Sequence, residues 1–136
     1  MPHLSKQKIS VKTKKKLDRY VLDYLKATGT KSREQIYLEL FTATERLMIS
    51  KRLMLIYLID RGVPTHKISN VLKMSPSTVA RFEVKIDRGL FRKTTGWLRN
   101  HRIENQVVRL LADLLAIPFN NKMKPMSLGK YIDEKL

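Results

Sequence analysis

The chain has 136 residues, enough for one domain with a modest core, and its 28 Lys+Arg against 12 Asp+Glu leave a formal charge of +16. That balance calls for a polyanionic partner, with nucleic acid ahead of an anionic membrane surface. There is no cysteine, which excludes disulfides and thiol chemistry and suits a reducing cytoplasm. His3, His66 and His101 lie far apart without cysteine company, so neither a zinc site nor any other cofactor is expected. No apolar run reaches the length of about 18 residues that a membrane span needs, and the amino terminus lacks the apolar core of a signal peptide. The expected location is cytoplasmic and nucleoid-associated, with no membrane partner.

Residues 1–16 carry Lys6, Lys8, Lys12, Lys14, Lys15 and Lys16 and no acid. Such a run reads as a basic flexible arm, either solvated or laid along phosphates. Leu17, Tyr20, Val21, Tyr24 and Leu25 then recur at helical spacing, predicting a helix from Val11 to Ala27. Thr28–Gly29–Thr30 ends it, with Gly29 as the expected C-cap. Ser32 is the expected cap of a shorter helix to Leu40, whose face of Ile36, Tyr37, Leu40 and Phe41 is too apolar for water. Thr42 or Thr44 caps a third helix, and Thr42 to Glu45 spell the T-x-x-E capping box. Leu47, Met48, Leu53, Leu55, Ile56, Leu58 and Ile59 cover most of its circumference, which predicts a helix central to a core. Arg61–Gly62 closes it, and Pro64 forbids continuation.

Residues 64–88 read PTHKISNVLKMSPSTVARFEVKIDR. Two short helical patterns flank a tight turn. The first, Thr65–Leu72, places Ile68, Val71 and Leu72 on one face. The second starts at Ser75, an N-cap, with Pro76 at the first helical position and a stripe of Val79, Phe82 and Ile86. Ser69 is small enough to let a second helix cross closely. This pattern predicts a helix-turn-helix. Its outer side carries Ser77, Thr78, Arg81 and Lys85, groups that read base edges and hold phosphates. Pro76, and Thr65, His66, Lys67 and Lys73 around the turn and first helix, complete the candidate DNA-binding set. Glycine is usual after the first helix of such a turn; Lys73 stands there, and a left-handed lysine costs roughly 1 kcal/mol or more. Glu83 and Asp87, interleaved with Arg81, Lys85 and Arg88, read as a salt-laced helix face rather than catalytic acids.

Gly89 is a plausible C-cap, and Leu90–Arg99 reads as a short helix or bent connector. From His101 to Ile117 a strong apolar pattern runs through Ile103, Val107, Val108, Leu110, Leu111, Leu114 and Leu115 until Pro118 stops it. So broad a face must pack under the amino-terminal helices and across a subunit boundary. Residues 17–118 thus form one helical domain. The tail, 119–136, is weakly amphipathic, with a short helix expected from Ser127.

Thr42 to Gly62, TATERLMISKRLMLIYLIDRG, followed by the helix-turn-helix, resembles the Trp repressor family of bacterial DNA-binding proteins. The match rests on T-x-x-E-R, Arg52, the apolar helix and Arg61–Gly62. It continues with Ile68, Asn70 and Leu72 in the first short helix and Thr78, Val79 and Arg81 in the second, over roughly a third of the chain. The resemblance implies an all-α helical bundle in which two chains interlock as a two-fold homodimer. Two reading heads then enter successive major grooves of a near-palindromic double-stranded site. It also implies that Pro76, Ser77, Thr78 and Ala80 face the bases, and that Thr42, Arg52 and Arg81 line an effector pocket. In tryptophan-binding members the residue after the second arginine is glycine; here it is Phe82, whose ring fills that space. L-Tryptophan is therefore not the expected effector.

Signatures of catalysis are missing: no Gly-rich phosphate loop, no G-x-S-x-G and no metal-ligand cluster. The function expected is a sequence-specific transcriptional regulator, a repressor by family resemblance, and not an enzyme. One alternative is a DNA-binding accessory module of a mobile element or phage. Another is a basic nucleoid or RNA-associated protein that binds through charge alone.

Overall fold

A computed structural model describes residues 8–101, 103–114 and 128–135; the described residues are all-helical. The chain divides into two compact units, one ending at Arg46 and the other beginning at Leu47. No helix among the described residues is long and apolar enough to cross a membrane.

The first unit holds α1 (Val11–Ala27), α2 (Thr30–Leu40) and the start of α3 (Ala43–Asp60). Ser10 caps α1 by accepting a hydrogen bond from the Thr13 amide at 3.2 Å. Lys12, Lys14, Lys15 and Lys16 therefore stand on a helix rather than in an extended arm. Lys6 lies outside the described residues. The far end of α1 is closed by Thr28, whose hydroxyl donates to the Tyr24 and Leu25 carbonyls, both at 3.2 Å. With those carbonyls satisfied, no left-handed glycine is needed. Gly29 adopts φ −68° and ψ 165° and is the N-cap of α2, not the C-cap of α1. Ser32 consequently sits inside the first turn of α2 instead of capping it. Of the α2 face, Ile36 is buried, Tyr37 and Phe41 are half-buried with ring centroids 5.4 Å apart, and Leu40 is exposed.

The capping box of α3 forms as spelled. The Thr42 amide donates to Glu45 Oε2 at 2.9 Å, and the Glu45 amide donates to Thr42 Oγ1 at 3.3 Å. The backbone amide and the hydroxyl of Thr42 together hold the Glu45 carboxyl below its ordinary pKa. The expectation of a helix buried all round holds only for its second half. Leu55, Ile56, Tyr57 and Leu58 are buried, whereas Leu47, Met48, Ile49 and Leu53 are exposed within the single chain.

The second unit is built on that buried run. Gly62 (φ 75°) ends α3 in a Schellman motif: Gly62 N–H donates to the Ile59 carbonyl at 2.9 Å and Val63 N–H to the Leu58 carbonyl at 3.0 Å. Val63 then turns into the core. Helices α4 (Thr65–Leu72), α5 (Pro76–Asp87), α6 (Arg92–Asn100), α7 (Glu104–Leu114) and α8 (Leu128–Lys135) follow. Leu55 and Leu58 of α3, Ile68 and Leu72 of α4, Val79 of α5 and Leu111 of α7 are fully buried together. α4 packs on α5 and α7, and α7 on α8; Val107, Val108, Leu111 and Ala112 of α7 are buried inside this unit, while Leu110 is exposed. That helix begins at Glu104, not His101. His101 is the C-cap of α6: its ring stacks on Trp97 at 3.9 Å, and its Nδ1 lies 2.8 Å from the Trp97 carbonyl. The predicted continuation to Ile117 lies outside the described residues. The side chain of Asp60 is only 7% exposed and is gripped by both the Nε and Nη2 of Arg99, fastening α6 to the end of α3. The short helix expected in the tail is α8, and its Ile132 enters the core.

Candidate nucleic-acid interface

Between α4 and α5 the chain spends only Lys73, Met74 and Ser75. Lys73 adopts φ 52° and ψ 52°, the left-handed geometry that glycine occupies freely. Ser69 holds the turn in place of glycine. Its carbonyl accepts from the Lys73 and Met74 amides, the latter at 3.1 Å, and its hydroxyl donates to the Met74 carbonyl at 2.6 Å. Ser69 is therefore a turn lock. Lys73→Gly relieves the strain without breaking that lock. The urea midpoint should rise, corresponding to about 1 kcal/mol of added stability. An unchanged or lower midpoint would mean that the lysine side chain makes a compensating contact in the folded chain.

Ser75 then starts α5. Its Oγ accepts from the Thr78 amide at 3.3 Å and lies 2.8 Å from Thr78 Oγ1 and 3.1 Å from Ser77 Oγ. Pro76 occupies the first turn, where its missing N–H costs nothing. Val79 is fully buried, and Phe82 and Ile86 are half-buried, so the predicted stripe seats α5 on the unit. The opposite side presents Ser77, Ala80, Arg81, Val84, Lys85 and Arg88, all exposed. The Arg81 guanidinium donates to Thr78 Oγ1 at 3.3 Å, and the Lys85 ammonium lies 5.3 Å from the centre of the Phe82 ring. These contacts restrict two long cationic side chains at the surface, so that less entropy would be lost if they bound an anion.

The remaining candidates divide. His66 is exposed, as are Lys73 and Pro76. Thr65 instead donates its hydroxyl to Glu83 Oε1 at 2.6 Å, a tie between α4 and α5. Glu83 is thus a packing acceptor rather than part of a salt-laced face. Lys67 is half-buried, and its ammonium donates to the Ile132 carbonyl of α8 at 3.4 Å. It lines a cleft of about 160 Å³ with Arg61, Pro64 and Asp133. Thr65 therefore ties α4 to α5, and Lys67 ties α4 to α8.

Of the residues of the implied effector pocket, Thr42, Arg81 and Phe82 make other contacts. Thr42 is engaged by Glu45, Arg52 is exposed, and Arg81 is held on Thr78. Phe82 packs against the core and stacks on Phe91, with centroids 5.7 Å apart and planes 10° from parallel. Its ring is a structural part of the unit. Val84, exposed on this side, is not among the residues singled out from the sequence. The signal lay in its phase: it falls outside the Val79–Phe82–Ile86 stripe and between Arg81 and Lys85. An exposed valine among polar groups suits apolar contact with a thymine methyl.

Comparison of the chain with protein-family models, with curated proteins and with solved structures found no match.

Proposed function

We propose that this chain is a sequence-specific double-stranded DNA-binding regulator of Trp repressor-like build, a repressor by that resemblance, acting as a homodimer through a helix-turn-helix. The observation that carries the reading is the pairing of α4 and α5. The two short helices are locked at Ser69, capped at Ser75 and seated by Val79, and the outward face of the second holds Ser77, Thr78, Ala80, Arg81, Val84 and Lys85. That face mixes hydrogen-bonding groups, small apolar contacts and cations. Charge-only binding needs just the cations, so the mixture favours base reading over a general basic coat. The homodimer is supported by the apolar stripe left in water on α1 and on the first half of α3.

Selection of bound genomic fragments at near-physiological salt tests the proposal. One near-palindromic sequence should be retained, bound about 10³-fold or more above random duplex. Thr78→Ala should then relax preference at one base pair per half-site, at a cost of about 1–3 kcal/mol there. Millimolar L-tryptophan should leave the affinity unchanged, because Phe82 belongs to the packed core. Equal affinity for all duplexes would instead favour a charge-only nucleoid protein.

A further inference from the structure

We infer that the corner between α5 and α6 is a second phosphate-binding surface, so that the reading helix is held at both walls of the major groove. The inference rests on the DNA-binding reading above and adds Arg88, Arg92 and Lys93 to the interface.

Ser77, Arg81, Lys85 and Arg88 follow one another at steps of four, four and three along α5, so they form one exposed stripe running its whole length. The 12 residues of α5 span about 18 Å, against a major groove about 12 Å wide. A helix whose first turns reach base edges therefore carries its last turn to the far wall, where the phosphates of the other strand lie. Lys73 stands at the near wall, beside the amino end of α5. At the far end the chain turns sharply, with Gly89 N–H bonded to the Ile86 carbonyl at 2.8 Å and Leu90 N–H to the Lys85 carbonyl at 3.0 Å. Arg92 and Lys93, both exposed, follow at once.

Two features separate this corner from an ordinary solvated basic surface. First, it is not neutralised. Arg61, Arg99 and Lys130 each have a carboxylate partner. Among the described residues, no ion pair neutralises Lys85, Arg88, Arg92 or Lys93. Arg92 and Lys93 moreover occupy the positive end of the α6 dipole, where cations are unfavourable. The cluster costs the free protein stability that an anionic partner would return. Second, two of its cations are held. Lys85 lies over the Phe82 ring. Arg92 lies across Gly89 so closely that a Cβ there would be 2.8 Å from both its Nε and its Nη2. Glycine at 89 thus serves two ends: its φ of +83° makes the turn, and its bare Cα admits the guanidinium.

The test uses the full chain with Arg88→Gln, Arg92→Gln and Lys93→Gln combined, alongside Arg92→Lys with Lys93→Arg as a charge-conserving control. Fluorescence anisotropy gives affinity against salt for the selected site and for a random duplex. Each lost phosphate contact should flatten the log–log salt slope by about 0.9, so the triple variant should lose about 2–3. Its affinity should fall by the same factor on both duplexes, leaving sequence preference intact, and the control should keep the slope of the natural chain. A triple variant with helix content and melting temperature unchanged but an unaltered slope overturns the second surface. A change in sequence preference overturns it too, by placing the corner on bases. Failure of the natural chain to bind any duplex at low salt overturns the DNA reading beneath it.

Discussion

Replacing Leu17, Tyr20 and Tyr24 with glutamate should convert a dimer into a 15.9 kDa monomer and cost about 10²-fold or more in affinity for the selected DNA site. The reason lies in α1. It carries 17 residues, and none of them is buried. Leu17, Tyr20, Val21 and Tyr24 recur at helical spacing, yet each is between 46% and 72% exposed. An isolated helix of this length is marginal in water, because most helical stability in proteins comes from a packed face. The stripe has a counterpart in Leu47, Met48, Ile49 and Leu53 on the first half of α3. In the proposed homodimer, a second copy of the chain would bring the same stripes and cover both by a two-fold, self-complementary contact. The charged side of α1 does not obstruct this: Lys15, Asp18, Arg19, Asp23 and Lys26 alternate in sign along it, away from the stripe. In that proposed dimer, linking two copies of α5 would turn the second contact with DNA into an intramolecular event, so losing the dimer should weaken binding without touching α5. Light scattering at micromolar concentration decides the matter. A natural chain already monomeric at 15.9 kDa, or a triple-glutamate chain still dimeric, would remove the interlocked architecture.

What could be read from the sequence was what neighbouring residues decide among themselves. The spans of α1 and α4, the capping box at Thr42 and Glu45, the cap at Ser75 and the stop at Gly62 all depend on contacts within about five residues. So does the outward phase of Ser77, Arg81 and Lys85, given a stripe at Val79. The errors came where a second local solution was available or a distant partner decided. Thr28 closes α1 with its own hydroxyl, which frees Gly29 to begin α2. His101 folds onto Trp97 and ends α6, although its sequence position suits the start of α7 equally well. The hydrogen bonds of Thr65 to Glu83 and of Lys67 to the Ile132 carbonyl join residues 18 and 65 positions apart. No periodicity contains those pairings. The apolar circumference of α3 was legible as a demand for burial, whereas the side satisfied inside one chain was not.

The same division predicts opposite outcomes at adjacent positions of the α4–α5 turn. Lys73→Gly should stabilise, while Leu72→Ala should cost about 2–5 kcal/mol, a large share of the roughly 5–15 kcal/mol that keeps a domain folded. Leu72 is 1% exposed in the last turn of α4, in the same core as Ile68 and Val79, both at 0%. With Val71, and with Phe82 packed against the same core, these side chains seat α4 and α5 in the unit, while the Thr65–Glu83 bond ties the two helices to each other. Removing the leucine leaves a cavity that the turn cannot collapse into, since Ser69 and Met74 fix its backbone by two hydrogen bonds. Leu110→Ala provides the comparison on an exposed leucine, 43% exposed on α7, and should change stability by no more than about 0.5 kcal/mol. Below its melting temperature the Leu72→Ala chain should keep its salt slope on DNA, because no phosphate contact is lost, while its affinity for the selected site falls as the seating of α5 loosens. Urea denaturation of the two leucine variants side by side is the measurement. Equal, small shifts in both midpoints would mean that α5 is not seated through Leu72.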